Sequence, residues 1–369
     1  MSETDVVIVG GGPAGAAAAI VSAQAGLSVK VIGRPRPESA HTYDAVHPGV
    51  FPLLDRLGVA AEIARAGFIR HAGHWVESES ARHFIPFGSD ETGLWLGAQL
   101  YRPLFDRILL DRARSLGVDV CEAGADDVTT RDSQLCGIQT SDGQLSSKFV
   151  LDATGRWRWL ARRLLLPTVL ASPQMYARYG VVEAGILTRD EAPVLTTDST
   201  GWTWTAQAKQ HVCWQIRLAW NDHPARGESA TEDLRHPHRL GLTHGSDVTW
   251  SLTESTAGPG YFVIGDAAII LDPASSHGIL RAIMSGMMAA HLVVQIVHSR
   301  LDPDLGARWY DQWMRNWFAH DASKLRELYL ALRCPPSWPA QCNARRPRIQ
   351  NQTVFQPPSK SEGRPEKLG

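Results

Sequence analysis

The chain has 369 residues, a hydrophobic content of 44% and a formal net charge of -1 at pH 7. Its length allows two packed lobes, and its near-zero charge gives no electrostatic reason to expect binding to nucleic acid or anionic membranes. The sequence shows no basic and apolar leader and no uninterrupted apolar run of about 18 residues, the length of a membrane span. Its five cysteines are scattered and odd in number, which favours a reducing compartment. We therefore expect a cytoplasmic protein without a membrane span.

The start of the chain predicts a βαβ unit. Val6 to Val9 is a short run of β-branched residues, typical of a strand buried on both faces. Pro13 to Gly26 is rich in alanine and ends in glycine, which indicates a helix and its stop signal. Leu27 to Ile32 then predicts the second strand of the unit.

A glycine pattern, G-x-G-x-x-G, joins the first strand to this helix. Gly10 permits a tight turn, Gly12 lets the backbone approach a pyrophosphate, and Gly15 lets the helix pack closely on the strand. Free N–H groups at the start of the helix would face the phosphates. We therefore predict that Gly10, Gly12, Ala14 and Gly15 bind a dinucleotide cofactor.

The remaining elements follow in chain order. The patterns predict a helix over 50–67, strands and loops over 69–98, a helix from Leu104 to Gly117, a buried strand and turn in "KFVLDATG" (Lys148–Gly155), a tryptophan-rich antiparallel sheet over 170–250, a strand and turn in "GYFVIGDAA", and helices over Ile279–Val297 and Tyr310–Leu332. Beyond residue 343 the chain is polar and punctuated by proline, which predicts a disordered tail.

Two stretches add to the glycine pattern: "DATG" (Asp152–Gly155) after a buried strand, and "GDAAIILDPASSHGILRAIMSGMMAA" (Gly265–Ala290) between a strand and a helix. Together the three motifs resemble the FAD-dependent oxidoreductases of the p-hydroxybenzoate hydroxylase and flavin-dependent halogenase-like superfamily. The resemblance covers most of residues 5–300 and implies FAD as the cofactor.

The resemblance also implies an α/β fold. It has a Rossmann-like FAD-binding lobe with a βαβ start, an inserted, mostly antiparallel β substrate lobe and C-terminal helices. We expect the FAD-binding lobe at 1–70, 100–165 and 255–300, the substrate lobe at 71–99 and 166–254, a helical segment at 301–342 and a disordered tail at 343–369.

Further FAD contacts are implied by the same resemblance. Asp266 is expected to bond the ribityl chain, and Pro273 and Gly278 to lie against the isoalloxazine ring. A carboxylate accepts hydrogen bonds from sugar hydroxyls, and a glycine leaves room for a flat ring. "LYRPLFDRILL" resembles the start of a family helix whose arginine contacts the cofactor, which here is Arg102.

The end of the second strand departs from the family pattern. A glutamate usually stands there and accepts from the adenosine ribose, but this chain has Gly33 followed by Arg34. Either Glu38 takes that place, or Arg34 packs on the adenine and the ribose bond is lost.

The halogenase branch is resembled by "YDAVHPGVFPLLDRLG" (Tyr43–Gly58) and "GWTWTAQ" (Gly201–Gln207), with Trp202 and Trp204 on one face of a strand. Halogenases of this type use a lysine to handle hypohalous acid, and no lysine occurs from Val31 to Ser147. Arg70 stands near the expected position, but a guanidinium group forms no chloramine and rarely acts as an acid. Chlorination is therefore disfavoured.

The resemblance then implies an FAD-dependent monooxygenase that hydroxylates an electron-rich, aromatic substrate through a flavin C4a-hydroperoxide in a water-excluding site. The candidate catalytic residues are His277, within the flavin-facing loop, His47, Arg70 and His71. His74 is a further candidate. A histidine near its usual pKa of about 6.5 suits general acid–base work. The His-x-x-His pair of His71 and His74 lacks further ligands, so no metal is expected.

Three alternatives stay open. The first is a halogenase with an altered active site, the second a geranylgeranyl-reductase-like enzyme, and the third a flavoprotein that modifies tryptophan in a partner protein. The substrate is a small molecule or a peptidyl aromatic group, and the electron donor is NAD(P)H or a separate flavin reductase.

Overall fold

The computed structural model describes residues 4–33, 43–78, 81–183, 192–209, 212–220 and 244–341. The described helices are α1 (Pro13–Gln24), α2 (Phe51–Arg56), α3 (Ala60–Arg65), α4 (Arg102–Ser115), α5 (Trp159–Arg163), α6 (Gly278–Val297), α7 (Pro303–Leu330) and α8 (Trp338–Gln341). Two predictions, the adenine contact of Arg34 and the disordered tail at 343–369, lie outside the described residues.

The described strands run in the order of the chain. They are β1 (Thr4–Val9), β2 (Val29–Ile32), β3 (Tyr43–Val46), β4 (Ile69–His71), β5 (Gly73–Ser78), β6 (Ala81–Pro86), β7 (Ser89–Asp90), β8 (Gly93–Leu94), β9 (Gly97–Tyr101), β10 (Asp119–Cys121), β11 (Ala125–Arg131), β12 (Gln134–Thr140), β13 (Gly143–Asp152), β14 (Thr168–Leu170), β15 (Tyr176–Glu183), β16 (Val194–Asp198), β17 (Gly201–Lys209), β18 (Val212–Ala219), β19 (His244–Asp247), β20 (Ser251–Thr253), β21 (Ala257–Gly258), β22 (Tyr261–Val263) and β23 (Ile269–Ile270).

A parallel sheet forms the first layer, in the order β10-β2-β1-β13-β22. The residues Val6–Val9 of β1 are all buried, as expected for a central parallel strand covered on both faces. The first half of β13 also pairs antiparallel with β12, which pairs with β11. The predicted α/β fold with a βαβ start is confirmed.

Helices α1 and α6 pack against each other beside this sheet. A Cβ on Gly286 of α6 would lie 2.2 Å from the carbonyl oxygen of Ala14, so only glycine permits this close approach. By length and composition α6 is the one helix in the described ranges that could cross a membrane, but 56% of its apolar stretch is buried inside the protein. It is therefore a helix of the core.

The second large sheet has the order β19-β15-β18-β17-β16-β5-β6. Its pairs are antiparallel, except that β16 runs parallel to β5. This confirms the inserted, mostly antiparallel lobe, although its exact boundaries stay a prediction. A smaller sheet, β3-β9-β4, pairs its strands antiparallel.

Two predicted helices differ from the structure in their limits. The single helix expected over 50–67 is divided into α2 and α3 at Gly58, whose φ of +72° is a left-handed conformation that ends a helix. Helix α7 begins at Pro303, well before the predicted Tyr310. Its start is fixed by Asp302, whose carboxylate accepts from the backbone N–H of Leu305 at 2.8 Å.

Candidate functional site

A cavity of about 770 Å³ lies between the two layers. On one side it is lined by the start of α1, the loop around Asp266 and the start of α6. On the other side it meets one face of the seven-stranded sheet. The carboxyl ends of parallel strands in such sheets are the usual position for a ligand site.

The glycine turn is built for close backbone contact. Gly10 has a φ of +109°, and a Cβ at this position would lie 2.3 Å from the carbonyl oxygen of Ala153. A Cβ on Gly15 would lie 1.9 Å from the carbonyl oxygen of Gly10. Gly12 caps α1 without a side-chain hydrogen bond, and Gly12 and Ala14 line the cavity. The first N–H groups of α1 therefore form an anion cradle.

The "DATG" motif shapes the turn next to this cradle. The Asp152 carboxylate accepts from the backbone N–H of Thr154 at 2.9 Å, from its hydroxyl at 2.6 Å and from the N–H of Leu160 at 2.8 Å. Burial nevertheless raises the pKa of Asp152. The carboxylate holds Ala153 and Thr154 at the cavity wall.

The predicted contacts Asp266, Pro273 and Gly278 all line the cavity. Asp266 Oδ2 lies 3.5 Å from the Nε of Arg156. Helix α6 begins at Gly278, so a second helix N-terminus lies at the same cavity as that of α1.

Arg102 is a buried member of an ion-pair network. Its Nη1 lies 2.5 Å from Oδ2 of Asp44, and its Nε and Nη2 each lie 3.1 Å from the carboxylate of Asp106. Burial tends to lower the pKa of Arg102, but the charges of Asp106 and Asp44 outweigh it and raise the pKa. Arg102 and Asp44 line the cavity, and the contact of Arg102 with the cofactor stays a prediction.

Gly33 stands where the family pattern has glutamate, and a Cβ at this position would lie 3.5 Å from the backbone nitrogen of Gly11 in the glycine turn. The N–H of Gly33 donates to the carbonyl of Cys121 on the neighbouring strand β10. Glu122 follows Cys121 directly and is exposed. A carboxylate is therefore present at the end of the adjacent strand, a feature that the sequence pattern of β2 alone does not reveal.

The sheet side of the cavity carries both aromatic and aliphatic side chains. Tyr179, Ile216, Trp204, Leu195 and Val76 are successive register partners across five strands, and all five line the cavity. Because side chains alternate along a strand, this row occupies one face of the sheet. Trp202 and Trp214 also line the cavity, so the two tryptophans predicted on one face of a strand, Trp202 and Trp204, both lie at its wall.

Three histidines gather near Phe87, and a fourth packs on one of them. The ring centroids of His47, His71 and His74 lie 5.5, 5.5 and 6.3 Å from that of Phe87, and the His47 and His277 rings lie 5.6 Å apart. Three of the predicted catalytic residues, His47, His71 and His277, are thus brought together. Of the four histidines only His74 lines the cavity, and its ring packs on Trp204 at 5.5 Å.

Burial favours the neutral form of His47, His71 and His74. Burial lowers the pKa of His71 to about 4, with smaller contributions from the charges of His74 and Arg70. Burial, and then His83, lowers the pKa of His74; burial, and then His277, lowers that of His47. Across the described ranges, no group of three or more His, Cys, Asp and Glu side chains is suited to hold a metal ion.

The guanidinium group of Arg70 contacts two backbone carbonyl groups and an aromatic ring. Its Nε donates to the carbonyl of Gly97 at 3.0 Å and its Nη2 to that of Leu96 at 2.9 Å. The guanidinium group lies 3.9 Å from the ring centroid of Phe51. Arg70 is not among the residues that line the cavity, and its catalytic role stays a prediction.

A buried carboxylate, Asp272, joins three parts of the fold. It accepts from Trp250 Nε1 at 2.6 Å, from the Tyr329 hydroxyl at 2.8 Å and from the Ala274 N–H at 2.9 Å. The Tyr329 hydroxyl accepts in turn from Trp202 Nε1 at 3.0 Å. The network joins the loop before Pro273 to β17 and α7. The spacing of these residues in the sequence does not indicate that they are in contact.

We expect Asp272 to make stability depend on pH. Burial raises its pKa from 3.8 to about 6, so the folded protein binds the proton more readily than the unfolded chain. Between about pH 4 and pH 6 the stability contributed by this group is lost as pH rises, by about 3 kcal/mol in total. Urea unfolding of the wild type and Asp272→Asn at both ends of this window measures the difference. Two curves that change in parallel with pH would contradict this account.

A family model described as "FAD binding domain" matches residues 3–299. The tryptophan 2-halogenase of Chondromyces crocatus is 24% identical over 360 residues, which cover 89% of this chain and 68% of that protein. The digeranylgeranylglycerophospholipid reductase of Thermoplasma acidophilum is 25% identical, and the match covers 87% of this chain and 88% of the reductase.

Similarity to a solved structure points to the same fold. The peptidyl tryptophan dihydroxylase QhpG has a TM-score of 0.72 and 24% sequence identity, over 96% of this chain and 81% of that protein. Halogenation, reduction and hydroxylation all occur among these related proteins, so the likeness alone does not select one reaction for this chain.

The residues present fit FAD. Gly10 and Gly15 have no room for side chains, two helix N-termini line one cavity, and Asp266 lines the same cavity. The Gly12–Ala14 turn would hold the pyrophosphate and Asp266 the ribityl hydroxyls. The family model matches residues 3–299, which is most of the chain. The chain therefore belongs to the FAD binding domain family and is an FAD-dependent oxidoreductase.

Proposed function

We propose that this enzyme is a monooxygenase that hydroxylates an electron-rich aromatic substrate in the cavity. The observation that carries the proposal is the cavity wall opposite the FAD residues, formed by Tyr179, Trp202, Trp204 and Trp214 on one sheet face. Aromatic rings stack on one another or meet edge to face, so this wall fits a flat aromatic group.

The bound cofactor supplies electrons and activates dioxygen, and the chain supplies the environment. Trp204 and Tyr179 would hold the substrate ring against the sheet. His74 packs on Trp204 and has a lowered pKa, so it is neutral near pH 7. A neutral imidazole has one nitrogen that accepts a hydrogen bond. His74 would therefore accept a hydrogen bond from a ring N–H or hydroxyl and orient the substrate ring.

A halogenase is the second candidate, because a tryptophan 2-halogenase is among the relatives. Two observations speak against it. No lysine occurs from Val31 to Ser147, and Arg70 is committed to the carbonyls of Leu96 and Gly97 outside the cavity wall. A reductase for a long isoprenoid chain would need a channel lined by aliphatic side chains, whereas four aromatic side chains stand in this wall beside Val76, Leu195 and Ile216.

The rim of the cavity favours a substrate group presented from outside. Trp157, Ile85 and Leu328 are 62%, 40% and 38% exposed, and all three line the cavity. Exposed apolar side chains at a mouth are typical of binding surfaces. We extend the proposal to an aromatic side chain on a peptide, with a free small molecule as the other possibility.

The proposed binding wall is tested with indole and N-acetyltryptophanamide as probes. Removal of the Trp204 ring is expected to weaken binding about tenfold, because one aromatic contact contributes about 1.4 kcal/mol. Binding is followed by the change in flavin absorbance of the oxidised holoenzyme. The matched control is Trp95→Ala, a partly exposed tryptophan outside the cavity wall. Equal affinities for Trp204→Ala and the wild type would refute the proposed wall.

The electron donor is resolved by mixing the oxidised holoenzyme with NADH or NADPH in the absence of oxygen. Bleaching of the flavin absorbance would identify the nicotinamide as a direct donor. Unchanged absorbance would identify a separate flavin reductase as the source of electrons.

A further inference from the structure

The loop between Pro273 and α6 carries a histidine with an acidic partner on another helix. His277 caps the start of α6, and its Nδ1 lies 3.4 Å from Oδ2 of Asp321 on α7. Asp321 is only 4% exposed. Ser276 and Gly278, the residues on either side of His277, both line the cavity, so His277 lies next to its FAD end although its own side chain is not part of the wall.

Arg281 holds the same carboxylate from the other side. Its Nη1 lies 3.3 Å from Oδ2 of Asp321, and the side chain is 2% exposed. Within the described part of the chain, its buried Nε has no hydrogen-bond partner. Arg281 itself lines the cavity. The pair is therefore a buried ion pair at the edge of the site and not a surface contact.

The charge on Asp321 fixes which nitrogen of His277 carries the proton. Burial alone would raise the pKa of Asp321, but the hydrogen bond and charge of His277 and the charge of Arg281 lower it. Asp321 is thus ionised at neutral pH, and an ionised carboxylate only accepts hydrogen bonds. Nδ1 of His277 must then be the donor, which leaves Nε2 with its lone pair free.

We propose that Asp321 and Arg281 are positioning residues that hold His277 with a proton on Nδ1, so that Nε2 exchanges protons at the FAD end of the cavity. The logic is that of a histidine oriented by a buried aspartate, in which the acid fixes the tautomer and stabilises the imidazolium. Reduction and reoxidation of a flavin take up and release protons, so a proton-exchanging side chain has a task there. The inference depends on FAD and is independent of the substrate.

The other charged groups around His277 are few. His47 faces it edge to face at 5.6 Å, and His320, next to Asp321 in the chain, also acts on that carboxylate. Asp266 and Arg156 act on Arg281. Variants of His277 and Asp321 must therefore be compared at the same ionic strength.

The test is the midpoint potential of bound FAD, measured between about pH 5 and pH 8 in the holoenzyme. A side chain that exchanges protons with the flavin site gives an inflection in the plot of potential against pH. We expect this inflection in the wild type and its loss in His277→Gln. In Asp321→Asn the inflection should move to lower pH, because the imidazolium has lost its nearest negative charge. Asp321→Glu should return the inflection to its wild-type pH, because a carboxylate again faces the imidazolium.

The matched control is His291→Gln, which changes an exposed histidine on the same helix and should leave the inflection in place. A wild-type plot without an inflection, an inflection that persists in His277→Gln, or one that Asp321→Asn leaves unmoved would overturn the proposal. If Asp321→Asn does not fold, His277→Gln alone decides, since this side chain is partly exposed. Substrate turnover is not measured, so the result is separate from the fate of the proposed hydroxylation.

Discussion

Arg102→Met is expected to lower the free energy of unfolding by about 3 kcal/mol. The substitution keeps an unbranched side chain but leaves the carboxylates of Asp44 and Asp106 without the guanidinium that pairs them. Breaking a buried ion pair from one side is costly because an uncompensated charge remains. We place the loss at the lower end of the usual range, since the Asp44 side chain is 31% exposed.

Urea unfolding of the apoprotein measures this effect without the contribution of bound FAD. The matched control is Arg107→Met, an exposed arginine on the same helix, for which we expect a change within about 0.5 kcal/mol. If both variants unfold at the same urea concentration, the network around Arg102 does not stabilise the fold as described. A selective loss of FAD by Arg102→Met beyond its loss of stability would support the predicted cofactor contact.

Gly15→Val is expected to bind FAD about ten- to a hundredfold more weakly than the wild type. The new side chain begins at a Cβ that would lie 1.9 Å from the carbonyl oxygen of Gly10. The obstacle is backbone, so α1 has to move away from the turn that forms the cradle. Overpacking of this kind costs about 1–3 kcal/mol, which corresponds to that loss in affinity.

Flavin fluorescence titration of the apoprotein gives the two dissociation constants. Gly33→Ala is the control beside this turn, because its Cβ would come no closer than 3.5 Å to another heavy atom. Wild-type affinity in Gly15→Val would show that FAD does not depend on the cradle, and the assignment of Gly10–Gly15 would then be wrong.

The features that the sequence predicted well are local. The glycine turn, the alanine-rich helix and the alternating tryptophans of β17 depend on neighbours within a few residues, so their patterns can be read directly. The predicted start of helix α7, Tyr310, is too late because it depends on the apolar pattern alone. The capping pair Asp302–Pro303 marks the true start, and that signal was present in the sequence.

The features that the sequence did not predict join distant segments. Asp272 meets Tyr329 across 57 positions, and His277 meets Asp321 across 44. No periodicity connects such residues, because the contacts follow from how α7 packs across the loop. The same reason explains why His47, His71 and His74 were candidates individually, while their common position around Phe87 emerged only from the fold.

A halogenase, a reductase and a hydroxylase share this fold. Hydroxylation is proposed because aromatic side chains line the cavity and because Arg70 lies outside its wall. The most direct test mixes the photoreduced holoenzyme with isotope-labelled dioxygen and N-acetyltryptophanamide, with and without chloride and bromide. Mass spectrometry then identifies the product. We predict a product that carries one labelled oxygen atom and forms equally with and without halide. A halogenated product that requires halide would contradict hydroxylation and establish the chain as a halogenase.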